Sequence, residues 1–193
     1  MNYELNFEYL VRRLMPHLDS NDVALVHRAY EVASEAHAGQ TRDEGSPYIA
    51  HPVRVAVSLV DELKEFSPKL ICSALLHDVI EDSDTTREDV SKIFGEEIGE
   101  IVWLLTKLEE VSLREYLSKI EAAADTGAPI VKLCDRLDNL RSIVYSPRVE
   151  KRRRLIRTTE ELYLPLALRT NSYLHSELRH SLLKARNLDN AFE

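Results

Sequence analysis

The feature that most constrains the fold of this chain is its shortage of turn-forming residues. Five glycines occur in 193 residues, and no alternating apolar run is flanked by an Asn-Gly or Asp-Gly pair. Such pairs are the main short-range signal for a β-hairpin. Apolar residues instead recur every three or four positions along nearly the whole chain, which is the period of a helix with one buried face. The sequence therefore predicts an all-α fold, a single-domain helical bundle.

Helix boundaries can be predicted from N-cap residues, from prolines in first turns and from glycines beyond helix ends. Ser20 or Asn21 is predicted to cap the first helix, and Thr85 with Glu88 forms a capping-box pattern before a short helix that ends at Gly95. Breaks between the later helices are expected at Thr126-Gly127, Ser146-Pro147 and Pro165. The first helix is predicted over residues 21–38, and the others, besides the short one, over 52–63, 68–80, 96–109, 113–124, 128–144, 149–162 and 165–186.

Composition limits the class of protein. The chain has 33 acidic and 25 basic residues and a net charge of -8, so it lacks the overall basic character typical of nucleic-acid-binding domains. The apolar run Leu70–Leu76 is too short to span a bilayer, and Met1–Met15 does not resemble a signal peptide. Cys72 and Cys134 are too few for a disulfide framework. We expect one domain over 1–193, in the cytoplasm, binding neither nucleic acid nor membrane; the oligomeric state is left open.

A scattered set of histidines and aspartates is the most informative chemical feature. His51 precedes a predicted helix at Pro52, the His77-Asp78 pair ends an apolar run, and Asp135 follows Ile130–Cys134. Acidic residues among core-type neighbours are almost never buried unless they are paired or bind a metal. Imidazole and carboxylate groups together suit Mn, Fe, Co, Ni or Zn. His51, His77, Asp78 and Asp135 are therefore candidate ligands for a divalent cation.

Two further acids lie one helical turn beyond His77. Glu81 is four residues after His77, so a continuous helix would carry both side chains on one face, and Asp82 follows directly. Carboxylates beside a metal can orient or deprotonate water, or protonate a leaving oxygen. We therefore predict Glu81 and Asp82 to be catalytic acid and base groups.

Several sequence motifs, in their order and residue content, resemble those of a known family. From about Val23 to Arg169 the chain is similar to the HD-domain alarmone hydrolases, which form the hydrolase half of RelA/SpoT-type stringent-response proteins. Above all, it is similar to the stand-alone small alarmone hydrolases of that family. The motifs that carry the resemblance are His37–Arg42, Pro47–Val53, Ala74–Asp82, Phe94–Gly95, Thr106–Lys107, Lys132–Arg141 and Tyr163–Ala167.

This resemblance implies both an activity and a cofactor. Family members hydrolyse the 3′-pyrophosphate of guanosine tetra- or pentaphosphate and release pyrophosphate with GDP or GTP. Their HD metal site, usually holding Mn2+, corresponds to His51, His77, Asp78 and Asp135, and their water-activating and proton-transferring residues correspond to Glu81 and Asp82. The residues that correspond to the family's nucleotide and phosphate contacts are Arg42, Lys107, Asn139 and Ser142. Because the chain is short, we expect a hydrolase without a synthetase or regulatory domain.

Two positions depart from the family pattern. Asp43 stands where a second basic residue is common, followed by Glu44, so we expect weaker attraction of phosphate or an altered purine contact. Asp138 stands where a His or an aromatic residue is more usual; it could add a carboxylate near the metal or simply face solvent. Adenosine alarmones and other phosphorylated nucleotides such as NADPH therefore stay open as substrates, as does a non-catalytic nucleotide-binding module.

Overall fold

The computed structural model describes the backbone of residues 6–191 and the side chains of residues 6–188. The predicted ends of the domain, 1–5 and 192–193, lie outside the described residues. Within this range there is no β-strand, only an isolated bridge between Thr41 and Pro47, and the predicted all-α fold is confirmed. The helices are α1 Phe7–Leu14, α2 Ser20–Ala36, α3 Ala50–Asp61, α4 Pro68–Leu76, α5 Val79–Asp82, α6 Arg87–Phe94, α7 Glu96–Leu105, α8 Leu113–Ala122, α9 Ala128–Ile143, α10 Val149–Thr158, α11 Leu164–Thr170 and α12 Ser172–Ala191.

Helices α3, α4 and α9 form the centre of the bundle and pack against one another. Their buried residues surround the helix axis instead of forming one stripe, which is the pattern of a helix enclosed on all sides. In α4 every residue from Leu70 to Leu76 is buried. His51 lies in the first turn of α3, His77 directly follows α4, and Asp135 lies midway along α9. The central helices and the segment after α4 thus bring His51, His77 and Asp135 into the core, with Asp78 partly buried beside them.

The predicted helix over 68–80 is interrupted at the functional motif. Helix α4 ends at Leu76, and the single turn α5 begins at Val79, so His77 and Asp78 lie at a break. His77 Nδ1 lies 2.8 Å from the Ala74 carbonyl, where it satisfies one of the groups that a helix end leaves without a partner. The prediction that Glu81 shares a continuous helix with His77 is therefore wrong.

Helix ends differ from prediction where side chains compete for backbone groups. The N-cap of α2 is Asp19, which accepts hydrogen bonds from the next turn, and helix α1 was not predicted. The capping box before α6 joins Thr86 and Asp89, one residue beyond the predicted pair. Helix α7 ends at Leu105, four residues early, and the hydroxyl of Tyr116 donates to the Leu105 carbonyl at this end.

The C-terminal helices are also divided differently. The expected break at Pro165 is replaced by a π-helical segment, Thr159–Tyr163, and Pro165 lies in the first turn of α11. Pro165 has no N–H to donate to the preceding turn, and the π-helical segment with its altered hydrogen-bond pattern lies directly before α11. The break falls instead at Asn171, which is extended and whose side chain accepts from the Leu174 N–H as an N-cap. The predicted single helix over 165–186 is therefore two helices.

Two expectations from composition can be compared with the described residues. Cys72 and Cys134 are both buried free thiols. Across residues 6–191, none of the helices combines the length and apolar character needed to cross a membrane.

A buried histidine and aspartate cluster as the candidate metal centre

The predicted ligands from α3 and from the break after α4 lie side by side. His51 and His77 are buried, at 1% and 0% exposure, and Asp78 is partly buried. One ligand atom of each residue lies within 4.8 Å of the ligand atoms of the other two. Residues separated by 26 positions in sequence thus supply two imidazole nitrogens and a carboxylate oxygen to one small volume.

Asp135 joins this cluster from α9. Its Oδ1 lies 3.2 Å from His51 Nε2 and 3.8 Å from His77 Nε2. Its Oδ2 is 2.9 Å from the Lys132 ammonium, and Asn139 Nδ2 donates to Oδ1 at 2.5 Å. The carboxylate is therefore fixed from both sides, with Oδ1 directed at the two histidines.

The state of His77 tests whether these residues fit a cation. Its Nδ1 is engaged by the Ala74 carbonyl, an acceptor, so Nδ1 carries the proton and Nε2 carries a lone pair. His77 Nε2 is buried and has no hydrogen-bond partner, although Asp78 Oδ2 lies 3.2 Å away. A buried acceptor without a partner is costly. A divalent cation would satisfy this nitrogen and the neighbouring carboxylates together, so the donor set fits one.

The electrostatics of the cluster favour a positive charge at its centre. Burial acts to lower the pKa of His51, but hydrogen bonds to Asp135 and Asp138 raise it to about 9. Burial acts to raise the pKa of Asp135, but Lys132 and the two histidines hold it well below its usual range. Tyr48 donates its hydroxyl to Asp78 Oδ2 at 2.7 Å. Burial and the Asp78 charge raise the pKa of Tyr48, which keeps it a neutral donor.

The predicted catalytic acids border this cluster on its solvent side. Glu81 and Asp82 are exposed, and partial desolvation together with the Asp78 charge raises the pKa of both carboxyls. Glu81 Oε2 accepts the Lys107 backbone N–H at 3.0 Å. Gln40 donates its side-chain amide to the Asp82 carbonyl at 3.3 Å. The Glu81 carboxylate and the Asp82 backbone are therefore tied to neighbouring loops, and the pKa of both carboxyls is shifted upward, in the direction that favours accepting a proton.

Three of the four predicted substrate-binding residues meet in one cavity of about 200 Å³. Arg42 donates to Asn139 Oδ1 and to Ser142 Oγ, both at 2.9 Å. Because Asn139 also donates to Asp135, one chain of hydrogen bonds connects this cavity to the candidate metal centre. Lys107 lies apart from the cavity, beside Glu81.

Asp43 lines the same cavity, but its charge is offset. Its carboxylate is 2.8 Å from Lys151 Nζ and 3.5 Å from Arg148 Nε, and it accepts from the Ser146 hydroxyl at 2.7 Å. These contacts, led by Lys151, lower the pKa of Asp43. The expected repulsion of phosphate by Asp43 is therefore largely compensated by cations from the start of α10.

Asp138 does not face solvent, so that alternative is wrong. It is 5% exposed, and its Oδ2 lies 2.7 Å from His51 Nδ1. Arg54 donates to both of its oxygens, at 2.7 and 3.1 Å. Burial acts to raise the pKa of Asp138, but His51 and Arg54 lower it to about 2. Asp138 is therefore an anion that contacts His51 at Nδ1, the ring nitrogen that faces away from the cluster.

Sequence reasoning did not single out several residues that support the site. Lys132 could have been found, because it precedes Asp135 by three residues on a helix and therefore shares its face. Arg54 has the same relation to His51. No sequence signal pairs Lys151 with Asp43, since 108 positions separate them. The hydroxyl bond from Tyr48 to Asp78 likewise depends on tertiary packing.

An all-α bundle that buries paired histidines and aspartates between its central helices is the arrangement of a metal-dependent HD-type protein. The profile of the HD domain matches residues 29–172. The chain belongs to the HD-domain family, and the resemblance seen in the motifs is confirmed. An HD domain implies a divalent metal, and His51, His77 and Asp78 form a possible site for it.

Two relatives with named activities are similar to most of this chain. The bifunctional (p)ppGpp synthase/hydrolase SpoT of Escherichia coli K12 is 38% identical over 175 residues, which cover 84% of this chain and 24% of that protein. The guanosine-3′,5′-bis(diphosphate) 3′-pyrophosphohydrolase of Aquifex aeolicus is 35% identical over 172 residues, 86% of this chain and 24% of that one. The chain thus spans about a quarter of the length of these relatives.

One solved structure is similar to this chain over nearly its own full length. That structure is of a metazoan ortholog of SpoT, described as hydrolysing ppGpp and as having a role in starvation responses. The two structures align with a TM-score of 0.73 at 29% identity, covering 86% of this chain and 97% of the other.

Proposed function

We propose that this chain is a metal-dependent hydrolase of guanosine 3′-pyrophosphate alarmones. The reaction would cleave the bond between the ribose 3′ oxygen and the pyrophosphate, releasing pyrophosphate with GDP or GTP. The observation that carries this proposal is the connection of a buried histidine and aspartate cluster to the Arg42 cavity through Asn139. The activities for which the SpoT-type relatives are named support the choice of substrate.

The cation is proposed to be Mn2+, held by His51, His77, Asp78 and Asp135. Two imidazoles and two carboxylates suit Mn2+ among several divalent metals. When bound, the ion supplies positive charge to the attacked phosphorus and makes water easier to deprotonate. Lys132 assists by holding Asp135 Oδ2, which leaves Oδ1 directed at the histidines. Tyr48 restrains Asp78 in the same way through its hydroxyl.

Glu81 and Asp82 are proposed to handle protons. A carboxylate with a raised pKa accepts a proton from water more readily than an ordinary surface carboxylate, and its acid form can protonate a leaving oxygen. The Lys107 N–H fixes the Glu81 carboxylate and leaves its second oxygen for water. The exposure of both acids gives them access to the solvent that the reaction consumes.

Substrate binding is proposed to use two groups of residues on either side of the cluster. Arg42, with Asn139 and Ser142, would hold the nucleotide or its phosphates, and the Lys107 ammonium would offset charge on the pyrophosphate. Arginine suits phosphate because its planar fork donates two parallel hydrogen bonds. These local cations allow a chain of net charge -8 to bind a polyanion.

Other predictions fit this proposal without being tested by it. A single domain over 1–193 that acts as a hydrolase only, and a cytoplasmic location, stay predictions. Two enzymatic alternatives also stay: adenosine alarmones, and other phosphorylated nucleotides such as NADPH. A non-catalytic nucleotide-binding module is disfavoured because every candidate ligand and both acids are present.

A product assay tests the proposal. The chelator-treated chain is incubated with ppGpp, pppApp or NADPH, each with Mn2+, Mg2+, Zn2+ or no metal, and products are separated by anion-exchange chromatography. We expect Mn2+-dependent release of pyrophosphate and GDP from ppGpp. If only pppApp or NADPH is cleaved, that nucleotide replaces ppGpp as the proposed substrate. If ppGpp binds but no nucleotide is cleaved, the result supports a non-catalytic nucleotide-binding module.

A further inference from the structure

We propose that Asp138, fixed by Arg54, is a positioning residue that sets the orientation and the tautomer of the metal-ligand histidine His51. This inference rests on the metal site of the proposed function but does not depend on the nucleotide that the enzyme cleaves. Asp138 Oδ2 lies 2.7 Å from His51 Nδ1, and both side chains are buried.

The contact decides which ring nitrogen faces the candidate metal centre. A carboxylate can only accept, so the Nδ1 of His51 must donate, and in the neutral, metal-binding form of the ring the lone pair is therefore on Nε2. That Nε2 lies 3.2 Å from Asp135 Oδ1 and 3.8 Å from Asp78 Oδ2. A flip of the ring would break the bond to Asp138 and direct a carbon atom at the ligand cluster.

Asp138 is itself held in place by a fork. Arg54 Nε donates to Oδ1 at 2.7 Å, and one terminal nitrogen donates to Oδ2 at 3.1 Å. Because both carboxylate oxygens are engaged on the Nδ1 side of His51, Asp138 is excluded as a further metal ligand. The carboxylate that Asp138 could add near the metal therefore contacts a candidate ligand, His51, and does not itself face the ligand cluster.

Helices α3 and α9 each carry a candidate ligand and a supporting residue at the same spacing. On α3, Arg54 follows His51 by three residues, and on α9, Asp138 follows Asp135 by three residues. Positions three apart share a helix face. Each helix therefore presents one candidate ligand and one supporting residue to the other across the α3 and α9 contact.

The two histidines are supported by different acceptors. His77 Nδ1 is engaged by the neutral carbonyl of Ala74 at 2.8 Å, whereas His51 Nδ1 is engaged by an anion. A carboxylate behind a ligand histidine raises its basicity as well as fixing its orientation, and loss of such a partner typically weakens metal binding about 10- to 100-fold. His51 is therefore the ligand whose strength depends on a charged residue outside the cluster.

Calorimetric titration of Mn2+ into the chelator-treated full chain, without nucleotide, tests the inference. For Asp138→Asn, which keeps the side-chain size and removes the charge, we expect a Kd about 10- to 100-fold weaker than wild type. Arg54→Lys keeps the charge and loses the fork, and we expect a smaller weakening in the same direction. Asp61→Asn is the matched control, because Asp61 is an α3 carboxylate whose side chain pairs with Arg13 and Tyr9 and not with His51 or Asp138, and the Kd of this variant should not change.

The outcomes separate positioning from general stability. Circular dichroism and the melting temperature of the metal-free chain are measured on every variant. If Asp138→Asn and Arg54→Lys fold and bind Mn2+ with the wild-type Kd, the inference is overturned. If wild type binds Mn2+ and the variants bind it weakly while no nucleotide is cleaved, the inference stands and the proposed function fails.

Discussion

Replacement of Lys132 by methionine should destabilise the metal-free chain far more than an ordinary loss of an ion pair. The Lys132 ammonium lies 2.9 Å from Asp135 Oδ2, and the two side chains are only 12% and 8% exposed. Removal of one partner from a buried pair costs about 3 to 5 kcal/mol. For a domain of this size, each kcal/mol lowers the Tm by about 2 to 4 °C, so the expected drop is about 6 to 20 °C.

Lys69→Met is the matched control for this prediction. Its ammonium lies 3.0 Å from Glu97, but these side chains are 38% and 80% exposed. An exposed pair contributes about 0 to 1 kcal/mol, so the Tm should fall by at most about 4 °C. Both variants are compared with wild type by scanning calorimetry in chelator. Equal shifts for the two would refute the reasoning that Asp135 depends on Lys132.

The same comparison repeated in saturating Mn2+ gives a second readout. A divalent ion beside Asp135 takes over part of the role of the lost ammonium, and a ligand that binds the folded state raises the Tm. The difference between Lys132→Met and wild type should therefore become smaller in Mn2+. An unchanged difference would mean that the ion does not lie beside Asp135.

The remaining predictions concern the site. His77→Ala and Asp78→Ala should each lose Mn2+ binding and turnover together, measured by calorimetry and pyrophosphate release. Glu81→Ala should keep Mn2+ but lose about 10²- to 10⁴-fold in kcat, and full activity would exclude its role in proton transfer. Desolvation and the Asp78 charge raise the pKa of Glu81, and a base must be ionised, so kcat should fall with decreasing pH at a pH above the ordinary carboxyl value of about 4.3; a profile without this acid limb would contradict that role. Asp43→Asn should lower the KM for ppGpp, because it frees the charge of Lys151 at the cavity, and an unchanged KM would place Asp43 outside the binding site.

Much of the fold could be predicted because the physical signals are local. Apolar spacing at three or four residues identifies the central helices, and Pro68 and Pro129 begin helices where their missing N–H groups have no partner to lose. The errors fall where tertiary contacts override such signals. The early end of α7 coincides with a hydrogen bond from the Tyr116 hydroxyl of α8 to the Leu105 carbonyl, whereas the break at His77 accompanies a local contact of its side chain with the Ala74 carbonyl.

The site shows the same division between local and distant information. Acidic residues such as Asp135 among apolar neighbours indicate a buried partner or a metal, and this signal lies in the sequence itself. The neighbours of Asp43 and Asp138 could not be predicted, because the partners lie 108 and 87 positions away. Spacing alone leaves an acidic residue on a helix equally able to face solvent or another helix.

The central claim is that one divalent cation at the buried cluster enables cleavage of a 3′-pyrophosphate. The most direct measurement titrates Mn2+ into the chelator-treated chain in the presence of ppGpp and follows bound metal and nucleotide products together. The account predicts that pyrophosphate and GDP appear in equal amounts and that the rate saturates at about one Mn2+ per chain. Turnover that persists in chelator, or release of single phosphates in place of pyrophosphate, would contradict it.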